Sequence, residues 1–268
     1  SGIERLRTAL GAGDSLKLMC HAVCGYPDLA TSGRIFAATA EGGADIIEAQ
    51  IPFSEPSADG PLIVEANHAA LRALRGSGAS RTRACLELLG EARRVAGKPF
   101  LVMSYINPIF AYGPVRFVRE AARLGLDGLI VPDYPDDEQE LELGRHCAEA
   151  GLALVPLIAP TTPLERAVSL AAASESPLLY AVLRLGVTGR KTEIDGDGAA
   201  RLAELRSRTG KKVAAGFGLR ERSQLAALRA SADCAIVGSA LLATAKEAIA
   251  EGRDPADAVA AFVRSLKS

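Results

Sequence analysis

Short apolar runs alternate with longer amphipathic stretches from one end of the chain to the other, each pair occupying roughly 25 to 35 residues, the mark of repeated βα units. The runs at 16–24, 45–50, 99–104, 128–131, 152–158, 178–183, 212–215 and 234–237 read as eight strands. Helix ends are written between them. Thr162-Pro163-Leu164-Glu165 has the form of a capping box, with Thr at N-cap, Pro at the first helical position and Glu at N3. Asp254-Pro255 opens a last helix in which Val259, Phe262, Val263 and Leu266 keep the i, i+3, i+4, i+7 spacing of one buried face. Gly125, Gly151 and Gly210 stand just before strands, where a left-handed residue can end a helix.

Eight βα units without a composition break, linker or low-complexity stretch predict an α/β fold, a closed (β/α)8 barrel forming a single domain over residues 1–268, with Ser1-Gly2 reading as an expression scar. A doubly wound open sheet would carry G-x-G-x-x-G after its first strand, and Gly25-Tyr26-Pro27 stands there instead. With 49% hydrophobic residues there is ample material for one large core. The 31 Lys and Arg nearly balance the 32 Asp and Glu, which removes the electrostatic footprint of a nucleic-acid or polybasic membrane binder. No apolar run approaches the ~20 residues of a membrane span and no signal-peptide pattern opens the chain, so a cytoplasmic location is expected. Five cysteines, an odd number scattered through apolar segments, read as reduced thiols.

In a barrel enzyme the chemistry lies on the loops that follow the C-terminal ends of the strands. Near the exit of the second strand, Glu48 stands among Ile and Ala and shares a strand face with Ile46 and Gln50. A carboxylate there is tolerated with a structural partner at the barrel rim or for a chemical purpose, and either fits. Asp59 lies on a loop marked by Pro52, Pro56, Gly60 and Pro61, where an Asp is commonly a turn residue. Gly216-Phe217-Gly218 and Gly238-Ser239-Ala240 follow the seventh and eighth strands, the two positions at which barrels bind phosphate on backbone N–H groups; taken singly, each is equally a tight turn. Lys17, Lys98 and Lys212 sit at strand starts, away from where a Schiff-base lysine would work. His21, His68 and His146 do not cluster, and Cys20 and Cys24 share one strand face while His21 takes the other, so no metal site is expected. What remains is cofactor-free acid–base chemistry by carboxylates on a phosphorylated small molecule.

The run from Glu48 through Ile51-Pro52-Phe53-Ser54-Glu55-Pro56-Ser57-Ala58-Asp59-Gly60-Pro61 resembles the tryptophan synthase α-subunit family. So do Met103-Ser104-Tyr105-Ile106-Asn107-Pro108-Ile109-Phe110-Ala111-Tyr112-Gly113, Val131-Pro132-Asp133-Tyr134-Pro135, Leu157-Ile158-Ala159-Pro160-Thr161-Thr162-Pro163, Gly186-Val187-Thr188-Gly189 and the two glycine turns, in that order across the chain. The resemblance implies a TIM barrel with an extra N-terminal helix. It also implies retro-aldol cleavage of indole-3-glycerol phosphate to indole and glyceraldehyde 3-phosphate in tryptophan biosynthesis. The catalytic residues it implies are Glu48 as acid and then base, Asp59 ionised near the ring N–H, and Tyr180 in support. It places the phosphate at Gly189, Gly218, Gly238 and Ser239, the indole against Tyr105, Phe217 and His21, and a closing loop at 184–198 with Thr188 meeting the catalytic Asp. It further implies no cofactor on this subunit and a pyridoxal-phosphate-dependent β-subunit as partner in an α2β2 complex. His21, Gln50, Glu55, Leu183 and Leu185 depart from the family's commoner residues without touching the acid–base pair. A stand-alone lyase that releases free indole, and a barrel that activates a β-subunit without catalysis of its own, are the alternatives.

Overall fold

The computed structural model describes all residues except 14, 77–79, 135–139, 183–195, 217 and 268. Its strands are β1 (Lys17–Val23), β2 (Ile46–Gln50), β3 (Phe100–Met103), β4 (Gly128–Ile130), β5 (Ala153–Leu154), β6 (Leu157–Ile158), β7 (Leu178–Val182), β8 (Lys212–Gly216) and β9 (Cys234–Val237). They pair in parallel in the order β5-β4-β3-β2-β1-β9-β8-β7-β6. The two edges of this sheet, β5 and β6, are separated in the chain by Val155 and Pro156 alone, so they are the halves of one bent strand and the ring closes through them. Proline has no N–H to give a ladder, which breaks the run 152–158 expected as a single strand. The Val155 N–H donates to the Leu129 carbonyl at 2.9 Å on one side, and the Pro156 carbonyl accepts from the Tyr180 N–H at 2.9 Å on the other. The eight expected strands are therefore present, the fifth in two pieces.

Side-chain alternation divides the core in two. Leu18, Cys20 and Ala22 of β1 and Ile47 and Ala49 of β2 face outward into the layer between sheet and helices. Met19, Ile46, Leu101, Leu178, Ala214 and Cys234 face inward, and the helix Gly2–Gly11 covers the lower end of the ring with Ile3, Leu6 and Leu10. The Ser1 hydroxyl accepts from the Glu4 N–H at that helix's start. Asp127, fully buried, accepts from Arg5 Nε at 2.6 Å and from the Phe100 N–H at 2.8 Å, with Arg93 Nε at 3.4 Å. A carboxylate this deep is tolerated because charged and backbone donors surround it, and the same bonds tie the closing helix to the start of β3.

The last helix runs Pro255–Lys267, opened by Asp254, whose carboxylate accepts from the Ala256 N–H at 2.8 Å. Gly125, Gly151 and Gly210 all have positive φ. Two local expectations are corrected. The helix after β6 is Leu164–Ala173 with Pro163 at its N-cap, and Thr162 does not cap it. The Thr162 hydroxyl instead accepts from the Ala159 N–H at 3.1 Å, because a local side-chain bond inside the preceding turn competes with the cap. The loop expected over 184–198 does not reach 198, since 196–198 belong to the helix Gly196–Thr209 and the rest of that span lies outside the described residues; Asp197 in the helix's first turn complements its dipole and offsets the poor propensity of the two glycines. All five cysteines are free and buried.

Candidate active site

The inward face of β2 carries Ile46 into the lower core and Glu48 one layer above it, so the strand face that Glu48 shares with Ile46 is the interior one. In the β1–β2 ladder Glu48 lies opposite His21, and Met19 lies opposite Ile46. Both ring strands therefore turn from apolar to polar at the same height. Glu48 is 3% exposed and His21 5%, and among the described residues neither Glu48 Oε2 nor His21 Nδ1 has a hydrogen-bond partner. Burial is the main force on Glu48: it raises the carboxyl from 4.5 to about 7, the nearby Asp59 adds to the rise, and His21 opposes it. A carboxyl of this kind exchanges a proton in either direction near neutral pH.

Asp59 reaches the same space from the loop that follows β2. The chain leaves β2 through buried Pro52, and the Phe53 N–H donates at 2.9 Å to the side-chain oxygen of Asn67, a fully buried residue of the helix Pro61–Ala73. The Asn67 amide donates in turn to the Ile63 carbonyl at 2.8 Å. Tyr105, buried after β3, closes the other end of the loop: its hydroxyl accepts from the Ala58 N–H at 2.9 Å and donates to Asp59 Oδ2 at 3.2 Å. Its ring packs on Phe53 with centroids 5.3 Å apart. Gln50 Nε2 donates to the same Asp59 oxygen at 2.7 Å, and Gln50 Oε1 lies 2.8 Å from His21 Nε2. Burial raises the Asp59 carboxyl, opposed first by His21 and then by the Gln50 and Tyr105 donors. Tyr180, on β7, is half-buried within the interior cluster, its hydroxyl pushed up by burial and by both carboxylates, so it stays protonated.

Across the mouth, β8 ends at Gly216, where an added Cβ would stand 3.6 Å from the Tyr180 hydroxyl. β9 ends at Val237 and is followed by Gly238, the N-cap of the helix Ser239–Ala250, which carries no side-chain cap. The first-turn N–H groups of such a helix have no intrahelical partner. A Cβ at Gly238 would lie 3.1 Å from His21 Nδ1, so this turn packs directly against the imidazole. The structure thus brings Glu48, Asp59, Tyr105, Tyr180 and His21 into one space and puts Gly218 after β8, with Gly238 and Ser239 at the start of the helix that follows β9. Thr188, Gly189, Phe217, Leu183 and Leu185 lie outside the described residues. Glu55 is exposed on the loop after β2. Among the described residues, no group of three or more His, Cys, Asp or Glu could hold a metal ion.

Gln50 and Asn67 are the site residues that sequence reasoning did not place. Asn67 left a signal, a polar residue in the Ile63, Ala66, Asn67, Ala70 stripe that its helix buries. Gln50 could be put on the Glu48 face, but its partners come from β1 and from beyond the next turn.

A closed βα barrel with two buried carboxylates from one βα unit, facing glycine turns at the ends of the last two strands, defines an enzyme of the barrel class equipped for acid–base chemistry. Residues 10–268 match the model of the family described as tryptophan synthase alpha chain. The chain is 41% identical over 270 residues to the tryptophan synthase alpha chain of Gluconacetobacter diazotrophicus, covering 100% of this chain and 96% of that one. It is 39% identical over 249 residues to the alpha chain of Desulforapulum autotrophicum, covering 93% of each. Among solved structures it superposes on Mycobacterium tuberculosis tryptophan synthase with a TM-score of 0.82 at 34% identity, covering 97% of this chain and 98% of that one. The tryptophan synthase alpha chain of Legionella pneumophila gives 0.85 at 27% identity, covering 98% and 95%. The chain belongs to the tryptophan synthase alpha chain family.

Proposed function

We propose that this lyase cleaves indole-3-glycerol phosphate to indole and glyceraldehyde 3-phosphate, with Glu48 and Asp59 as its catalytic residues. The observation that carries the assignment is Glu48 itself: inward, buried, with one oxygen unpartnered and its proton held to about 7, beside a second carboxylate fixed by two donors. Protonated Glu48 gives its proton to C3 of the indole, turning the ring into an electron sink. The resulting carboxylate takes the proton of the side-chain hydroxyl on the carbon attached to C3. The bond between that carbon and C3 then breaks, its electron pair returns to the ring, and the carbon becomes the aldehyde. Protons balance, and Glu48 ends as it began. Positive charge that develops at the ring N–H is stabilised by ionised Asp59, held in place beforehand by Gln50 and Tyr105. Tyr180 offers a hydroxyl that keeps its proton. The phosphate rests on the backbone at Gly218, Gly238 and Ser239, with Gly189 and Thr188 completing the site from residues outside those described.

The chain needs no cofactor of its own in this scheme and works with a pyridoxal-phosphate-dependent β-subunit in an α2β2 complex, in the cytoplasm. Among the described residues, no helix is long and apolar enough to cross a membrane. The deciding experiment is indole release from indole-3-glycerol phosphate by the purified chain and by Glu48→Gln, each with and without a β-subunit. Wild-type release that Glu48→Gln abolishes supports the proposal, and a large gain on mixing supports the pairing. Equal release by both proteins overturns it, and so does a wild type that stimulates the β-subunit while releasing no indole.

A further inference from the structure

Among the described residues, the buried side-chain atoms without a partner are Glu48 Oε2 and His21 Nδ1, which belong to residues opposite one another on β1 and β2. A buried polar atom left unpaired costs enough that each such case calls for a reason. The proposed reaction accounts for Glu48 and leaves His21 unexplained. Its protonation can be traced from Asp59. An ionised carboxylate only accepts, so the Gln50 group 2.7 Å from Asp59 Oδ2 is the amide NH2; the reverse placement would set an amide oxygen against a carboxylate oxygen. Gln50 Oε1 then faces His21 Nε2 at 2.8 Å and must receive a hydrogen there. Neutral His21 is therefore protonated on Nε2, and the atom with no partner, Nδ1, is an acceptor. It sits beside Gly238, at the turn that leads into the phosphate-binding helix, between the carboxylates and the anion end of the site.

Resting on the function proposed above, we propose that His21 Nδ1 accepts a hydrogen bond from the substrate's polyol chain, and that Gln50 is a positioning residue fixing both this imidazole and Asp59. The substrate has three kinds of donor. The ring N–H faces Asp59, and the hydroxyl next to the ring gives its proton to Glu48. The second hydroxyl, one carbon nearer the phosphate, is the donor left for an acceptor located beside Gly238. A phosphate dianion offers none. His21 thus selects a hydroxylated three-carbon chain, and Gln50 holds the imidazole and the charge-stabilising carboxylate at a fixed spacing.

Two measurements test this. Nitrogen-15 NMR of histidine-labelled protein distinguishes the tautomers of the three histidines, and needs no turnover. His21 is expected with its proton on Nε2 in the wild type and without that preference in Gln50→Met, a substitution of nearly the same shape. A proton on Nδ1 in the wild type, or a spectrum unchanged by Gln50→Met, overturns the relay. Binding is measured for indole-3-glycerol phosphate in the non-cleaving Glu48→Gln background, and for indole-3-propyl phosphate, which lacks both hydroxyls. His21→Phe should weaken the glycerol compound about tenfold, the size of one lost hydrogen bond, and the propyl compound less than about twofold. Equal effects on both ligands, or on neither, refute the contact. Gln50→Met should lower kcat about tenfold with little change in KM. A change in KM alone contradicts its positioning role. A wild type that releases no indole would defeat the proposed function and leaves the tautomer result to stand or fall by itself.

Discussion

Replacing Glu48 by Gln should remove activity and stabilise the protein, and the stabilisation should depend on pH. The folded-state carboxyl is raised from 4.5 to about 7, chiefly by burial. Folding therefore opposes its ionisation. Below the unfolded-state value the group is protonated in both states and costs nothing. As pH rises toward 7 the unfolded chain ionises and the folded one does not, so stability falls, and above 7 the loss levels off. The gap corresponds to about 3 kcal/mol at pH 8 and under about 1 kcal/mol at pH 5. Gln is neutral at both and nearly the same shape. Urea denaturation of the two proteins should then give similar stabilities at pH 5 and a Glu48→Gln protein more stable by up to about 3 kcal/mol at pH 8, while indole release drops by a factor on the order of a hundred or more. In the wild type, kcat/KM should fall on the alkaline side with an apparent pKa of about 7, because the reaction begins with the protonated acid. A stability difference that is the same at both pH values would refute the burial argument. A kcat/KM that holds level to pH 9 would refute the role of Glu48 as first acid.

Asp59→Asn should lower kcat by about 100- to 1,000-fold with a smaller effect on KM, as the uncharged amide cannot stabilise the cationic ring; steady-state kinetics decide, and a KM effect alone would assign Asp59 to binding only. Asp127→Ala should destabilise the fold by roughly 3 kcal/mol, read by denaturation, because the Arg5 and Arg93 donors and the Phe100 N–H lose their shared acceptor, with activity of the folded protein kept. Gly238→Ala should weaken binding of inorganic phosphate and glycerol 3-phosphate several-fold, measured calorimetrically, because its methyl would stand 3.1 Å from His21 Nδ1 and 3.3 Å from His21 Cβ and push the turn and the imidazole apart. Unchanged binding would place the anion elsewhere.

The elements legible in the sequence are those whose signals are local. Eight apolar runs, glycines before strands and the Asp254-Pro255 start could be read directly, because each rests on a few adjacent residues and a fixed periodicity. Glu48 was legible for the same reason: strand alternation set it on the Ile46 face, and a carboxylate there is an anomaly. The break in the fifth strand was hidden behind an apolar run that the pattern could not distinguish from a continuous strand, although Pro156 marks it. Thr162 failed as a cap because two local partners competed for one hydroxyl and the backbone turn decided between them. The His21–Gln50–Asp59 chain joins residues 29 and 9 positions apart. It exists by virtue of strand register and loop return, which no window along the chain contains. Asn67 is similar, holding Phe53 from 14 positions away.

The barrel also separates the end that holds it together from the end that reacts, and two carboxylates show how. Asp127 and Glu48 are both almost wholly buried, at 0% and 3% exposure. Asp127 lies just before β4 and receives hydrogen bonds from two arginines and a backbone N–H, so its charge is matched and the closing helix is anchored by it. Glu48 lies within β2 with an oxygen that has no partner among the described residues, and the mismatch is what keeps its proton available near neutral pH. Giving Glu48 a donor comparable to those around Asp127 would lower its pKa and stabilise the fold, and would leave it ionised where the proposed reaction needs a protonated acid. Its missing partner is thus a requirement of the chemistry proposed for it, tolerated because the lower layers, from Leu6 and Leu10 up through Met19, Ile46 and Leu101, are filled with apolar side chains and sealed by the first helix.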